Sequence, residues 1–124
     1  MTVPTAGRDP RPDCLFCRIA AGEISSTKVH EGESILAIRD TNPVAPTHIL
    51  LMPRSHVGSA ADLTADDGEL LGLLFAAAAE LARADGLAER GYRIVTNVGR
   101  DAGQSVDHLH FHLLGGRRMA WPPG

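Results

Sequence analysis

Apolar and polar positions recur along this chain with two different periods, and the changes of period mark its elements. Lys28 to His30 and Ser34 to Asp40 are β-like runs joined by Glu31-Gly32-Glu33, the pattern of a hairpin. Asn42-Pro43 and Ala45-Pro46 interrupt regular structure, because proline disfavours α conformation in the residue before it. His48-Ile-Leu-Leu-Met-Pro53 then reads as a buried strand that stops at its proline. Between Thr64 and Asp85 the period becomes helical, with Leu70, Leu71, Leu74, Ala77, Ala78 and Leu81 on one stripe. Thr64 is placed to cap this helix, Asp66 and Asp67 suit its first turn, and Gly86 closes it. Tyr92 to Val98 and Asp107 to Leu114 are two further strands, separated by the turn-rich segment 99–105. The short apolar run Cys14 to Ala21, ended by Gly22, predicts one or two helical turns.

The order β-β-β-α-β-β after a short helix predicts an α+β fold. Its expected form is an antiparallel five-stranded sheet with one long helix and a short N-terminal helix. Residues 1–13 are rich in proline and lack an apolar run, so they are expected to be a disordered lead-in, with a single domain over 14–124. Composition narrows the function classes. The 124 residues suit one domain, and a formal charge of −3 gives no reason to expect nucleic acid or an anionic membrane as partner. Aromatics at 4% provide little base-stacking surface. Without a membrane-length apolar run or a secretory signal, the expected location is the cytoplasm. There a structural disulfide between Cys14 and Cys17 is not expected, which leaves a metal clip, a redox pair or coincidence.

Chemistry concentrates in His108-Leu-His-Phe-His-Leu-Leu114. Alternate residues of a strand face opposite sides, so His108, His110 and His112 share one face while Leu109, Phe111 and Leu113 enter the core. At a strand rise of ~3.3 Å per residue the outer two histidines start about 13 Å apart, too far for all three rings to share one metal bound at ~2 Å. A row of imidazoles with one nucleophile and hydrogen-bonding neighbours fits better, since a neutral imidazole nitrogen attacks well and histidine titrates near neutrality. Gly103, Gln104 and Ser105 precede the row, and Asn97 ends the strand before them. Glycine permits close backbone approach and the other side chains offer donors, so together they suggest an oxyanion cradle.

These residues resemble the histidine triad superfamily of nucleotide hydrolases and transferases, whose signature is His-φ-His-φ-His-φ-φ. The likeness extends through Ala45-Pro-Thr-His48, Pro53-Arg-Ser-His56, Tyr92-Arg-Ile-Val-Thr-Asn97, Gly103-Gln-Ser105 and Leu114-Gly-Gly-Arg117. The ending Trp121-Pro-Pro-Gly124 is similar to the nucleoside phosphoramidate hydrolases of that superfamily, the Hint-like branch. The resemblance implies that His110 attacks the α-phosphorus and carries a covalent nucleotidyl intermediate. It implies that His108 and His112 flank it, that His48 completes the histidine set and that Ser105 serves the leaving group. Asn97, Gly103 and Gln104 would help to hold the phosphate and Asp40 the ribose, while Leu15, Phe16, Ile19 and Ile38 would form a purine slot. Asp107, Arg39 and Ala120 depart from the pattern of animal relatives, which bears on leaving-group choice.

The expected activity is therefore hydrolysis of purine nucleoside 5′-phosphoramidates or acyl-nucleotides, with no cofactor required for catalysis. The alternatives are a dinucleoside polyphosphate hydrolase, a nucleotide-binding regulator with incidental catalysis, and a metal-dependent hydrolase. A second expectation is a structural zinc held by Cys14, Cys17, His56 and His108, a closed Cys₂His₂ set. The galactose-1-phosphate uridylyltransferases resemble this arrangement in pairing a C-x-x-C with two such histidines. A third is a homodimer, suggested by Phe75-Ala-Ala-Ala-Ala79 on a helix apolar over much of its circumference, and by the two-fold dimer the resemblance implies.

Overall fold

A computed structural model describes residues 7–124 of the chain. Its elements are α1 (Leu15–Ala20), β1 (Lys28–Glu31), β2 (Ile35–Arg39), β3 (Thr47–Pro53), α2 (Gly68–Ala84), β4 (Tyr92–Val95) and β5 (Phe111–Gly115). The five strands form one antiparallel sheet in the order β1-β2-β3-β5-β4. The expected α+β architecture is the observed one.

Period-two alternation divides the sheet into two chemically different faces. Ile35, Ala37, Ile49, Leu51, Leu109, Phe111 and Leu113 point toward α2, where they pack with Leu70, Leu74, Ala77, Ala78 and Ala82. Leu36, Ile38, Leu50 and Met52 point the other way and are covered by Cys14, Phe16, Cys17 and Ile19 from around α1. Each fully buried Leu or Ile contributes roughly 1.5–3 kcal/mol of hydrophobic transfer energy, so both layers have a substantial driving force. Ala77 and Ala78, offered above as a surface for a partner helix, instead pack on the protein's own sheet, whereas Phe75 remains half exposed.

Two boundaries differ from the expectation. The helix opens with a 3-10 turn at Ala65–Asp67, capped reciprocally by Thr64 and Asp67, before the α-helix begins at Gly68. The histidine strand enters the ladder only at Phe111, because β3 pairs with it from Thr47↔Gly115 to Leu51↔Phe111 and then departs. Upstream, the His108 and Leu109 amides bond Val106 and Val57 carbonyls instead, yet the in-out alternation persists through these residues.

The lead-in expected over 1–13 falls outside the described residues for 1–6. From Arg8 onward the chain is tied down. Arg8 donates to both carboxylate oxygens of buried Asp67, at 2.6 and 3.2 Å, and its carbonyl accepts the His56 amide at 2.8 Å. These hydrogen bonds hold the Asp67 carboxyl below the usual carboxylate range, against the opposing effect of burial. A second pair joins the far end of α2 to the sheet. Arg39 donates to Asp85 at 2.7 and 3.0 Å, and the Thr47 hydroxyl donates to the same carboxylate at 2.8 Å. Arg39 therefore lies on the helix face, away from the histidines, and any effect of it on the leaving group is indirect.

Candidate active site

Four of the six histidines lie together on the sheet face away from α2. β3 and β5 place them: the register sets His48 opposite Leu114 and Leu50 opposite His112, so His48 and His112 share a face two positions apart. His108 and His110 continue that face in extended chain and are buried, as is His48. Ring centroids are 5.1 Å apart for His110 and His112 and 5.2 Å for His48 and His112. Phe16 of α1 closes the row edge-on, 5.0 Å from His110 and 5.9 Å from His108.

Main-chain partners decide what each ring can do. A carbonyl oxygen only accepts, so a ring nitrogen in hydrogen-bond contact with one carries the proton. His110 Nδ1 lies 2.7 Å from the His108 carbonyl, which leaves His110 Nε2 as a bare lone pair. Thr96 Oγ1 donates to the His110 carbonyl at 2.8 Å and so fixes that backbone. His108 Nε2 lies 2.8 Å from the Pro53 carbonyl, which leaves its Nδ1 as the acceptor. That Nδ1 faces sulfur: it is 3.3 Å from Cys14 Sγ and 3.5 Å from Cys17 Sγ, while His56 Nδ1 is 3.4 Å from Cys17 Sγ. All four residues are buried, and their donor atoms lie within 4.8 Å of one another. None of these main-chain partners has a sequence signal, because every residue except proline offers the same amide and carbonyl.

The remaining expected site residues differ in what holds them. Asp40 accepts the Asn42 amide on Oδ1 at 2.8 Å and sets Oδ2 3.3 Å from His48 Nε2. Phe16, Ile19 and Ile38 are buried together, whereas Leu15 is 45% exposed on the outer side of α1. Gln104 is committed to the chain: Nε2 donates to the Gly58 and Val106 carbonyls, and Oε1 accepts the Gly99 amide at 2.9 Å. It thus staples the 99–106 loop, where Gly103 adopts a φ of 83° and Ser105 is exposed. Asn97 is half-buried just beyond β4. Asp107 is exposed and shares a polar cleft of about 320 Å³ with Arg11 and His56. Its charge favours the protonated form of His56, but burial prevails and pushes that ring below its ordinary value.

Residues 21–119 match the HIT domain family. The chain is 49% identical over 112 residues to a 14 kDa zinc-binding protein of Zea mays, a match covering 89% of this chain and 87% of the relative. Among solved structures it is similar to a HIT family hydrolase of Legionella pneumophila, with a TM-score of 0.89 and 54% identity over 90% of this chain and 100% of that one. It is also similar to a histidine triad protein of Clostridium difficile, with a TM-score of 0.85 and 42% identity over 89% of this chain and 96% of that one.

Burial governs the protonation of His112 and His48. It pushes His112 down to about 4, assisted by the charge His110 or His48 would carry and opposed by Asp40. It lowers His48 as well, again against Asp40. In the unfolded chain histidine titrates near ~6.5, so as pH falls from there toward 4 the unfolded state takes up protons the folded state refuses. Stability is expected to be flat above that window and to decline through it. A ¹⁵N-detected titration should find the His112 ring neutral at about pH 5; a midpoint near its unfolded value would contradict the burial argument.

Proposed function

The chain belongs to the HIT domain family, and on that footing we propose that it hydrolyses purine nucleoside 5′-phosphoramidates or acyl-nucleotides through a nucleotidyl-His110 intermediate. The hydrolase named among its structural relatives supports the general activity. The observation that carries the finer reading is the 2.7 Å contact of His110 Nδ1 with the His108 carbonyl, which puts the ring proton on Nδ1 and leaves Nε2 as the lone pair available for attack.

In the first step His110 Nε2 attacks the α-phosphorus, and the bond from phosphorus to the leaving amine or acyl oxygen breaks as the new phosphorus–nitrogen bond forms. The positive charge that develops on the ring is stabilised by its Nδ1–H donating to the His108 carbonyl, an arrangement already in place before reaction. His112 steadies a phosphate oxygen, and exposed Ser105 relays a proton from solvent water to the departing group, its hydroxyl taking up a proton as it gives one. Water then attacks the phosphorus, gives up one proton to solvent, breaks the phosphorus–nitrogen bond to His110 and releases the nucleoside monophosphate with the ring neutral again. Asp40 holds the ribose as a carboxylate acceptor, and the Phe16, Ile19 and Ile38 layer receives the purine. Turnover of an adenosine or guanosine phosphoramidate should fall by about 10³-fold or more in His110→Ala, with nucleotide affinity largely kept. Undiminished turnover in that variant would defeat the assignment, and preference for dinucleoside polyphosphates would redirect the substrate class.

The Cys14, Cys17, His56 and His108 cluster fits a structural zinc. Two sulfurs and two Nδ1 atoms make a closed set with no open coordination position, and the Pro53 carbonyl holds His108 in the tautomer a metal needs. Bound there, the ion would supply cross-linking and no reactive group. It would anchor α1, and with it Phe16, to the backbone that carries His110. Protein purified without chelator is expected to contain about one zinc per chain. Cys14→Ser and Cys17→Ser should lose it together with about 10 °C of Tm; metal-free protein whose Tm ignores chelator would refute the site.

The same reading includes a second copy of the chain as partner. β4 is an edge strand with Tyr92 exposed, and Phe75 of α2 is half exposed against Phe111 of the neighbouring strand. A monomeric mass by light scattering would contradict the dimer.

A further inference from the structure

His48 stands outside the triad, yet its hydrogen bonds constrain the triad's chemistry. The Val44 amide donates to His48 Nδ1 at 3.1 Å. A backbone N–H cannot accept, so Nδ1 must be unprotonated and the ring proton must sit on Nε2. Two acceptors lie within reach of that proton. His112 Nδ1 is at 2.9 Å and Asp40 Oδ2 at 3.3 Å, so the nearer bond runs to His112. Accepting at Nδ1 obliges neutral His112 to carry its own proton on Nε2, the nitrogen left free to donate.

The loop bearing Val44 is itself clamped. Arg117 Nε donates to the Val44 carbonyl at 2.9 Å. Arg117 reaches it because the chain turns sharply at Gly116, whose φ is +90° and where a Cβ would stand 2.8 Å from Cβ of Pro46. Only glycine fits both the backbone angle and the approach. Pro43 and Pro46 stiffen the loop on either side of Val44.

We propose that the Val44 amide, held in place by Arg117, is a tautomer lock that makes His112 a hydrogen-bond donor through His48. The alternative His48 tautomer, or the doubly protonated ring, would set Nδ1–H against the Val44 N–H with no acceptor between them. Neutral His48, favoured by its burial, is the form the lock selects. The lock rests on the proposed reaction only for its purpose, which is to present His112 Nε2–H to a phosphate oxygen. Arg117 and Val44 are positioning groups that need not touch substrate.

Long-range ¹H–¹⁵N correlation of histidine rings distinguishes the two tautomers without any substrate. Wild-type His48 and His112 should both carry the proton on Nε2; a protonated Nδ1 on either would overturn the proposal outright. Val44→Pro removes the amide proton and Val44→Ala keeps it. Val44→Ala should show the wild-type tautomers, and Val44→Pro a mixture at His48 and His112. Its kcat should lie about tenfold below that of Val44→Ala, with KM little changed, the scale of one lost hydrogen bond. Identical tautomers in the two variants would also overturn the lock. If Val44→Pro does not fold, Arg117→Gln is read in the same way, with partial mixing expected and none contradicting the clamp. Tautomers as expected in a protein that turns over none of the nucleotides tested would leave the lock standing and remove the reaction assigned to it.

Discussion

A neutral imidazole has one donor and one acceptor, and everything at this site follows from which nitrogen is which. Burial holds His48, His108 and His112 below the ordinary histidine value, and the main chain decides the donor and acceptor nitrogens at His48, His108 and His110. The His108 carbonyl takes the His110 Nδ1 proton, the Pro53 carbonyl takes the His108 Nε2 proton, and the Val44 amide occupies His48 Nδ1. The outcome is three different chemistries from one residue type: a lone pair on His110 Nε2, a lone pair on His108 Nδ1 aimed at sulfur, and a donor on His48 Nε2 aimed at His112.

The rest of the fold holds those backbone atoms still. β3 is the central element, since it supplies His48 at one end and the Pro53 carbonyl at the other while pairing with β2 and β5. Its opposite face is sealed by α2, whose two ends are fastened by bidentate arginine–carboxylate pairs, Arg8 with Asp67 and Arg39 with Asp85. Because paired Asp67 and Asp85 both sit below the usual carboxylate range, these fastenings persist through the pH window in which the histidines titrate. At α1, Cys14 and Cys17 make the corresponding contacts to His108 and His56. His108 joins the two systems: its side chain belongs to the cysteine cluster and its carbonyl to the His110 ring.

Much of this was legible in the residues. The histidine alternation, the helical stripe from Leu70 to Leu81 and the order of elements each depend on local periodicity, and local periodicity survives folding. The Cys₂His₂ set could be named because only a few residue types offer such donors. Main-chain partners were not legible, since Val44, Pro53 and His108 act through atoms shared by the whole chain. Long-range charge pairs were hidden for a different reason. Arg8 and Asp67 are 59 positions apart, and nothing in their neighbourhoods distinguishes them from solvated charges. Arg39 was noticed as a departure, but only the sheet's pleat shows that it faces Asp85 and not the histidines. Gln104, read as a phosphate donor from its place before the triad, is engaged by two main-chain groups of its own loop and by the Gly58 carbonyl.

The central claim is that His110 Nε2 is the attacking atom, and the most direct test is to find the bond it forms. Protein mixed with a nucleoside phosphoramidate should be quenched within a turnover, digested and fragmented by mass spectrometry. The account predicts a nucleoside monophosphate adduct on the peptide spanning 108–112, with fragment ions placing it on His110. An adduct on His108 or His112, or steady turnover with no adduct on any histidine, would contradict it.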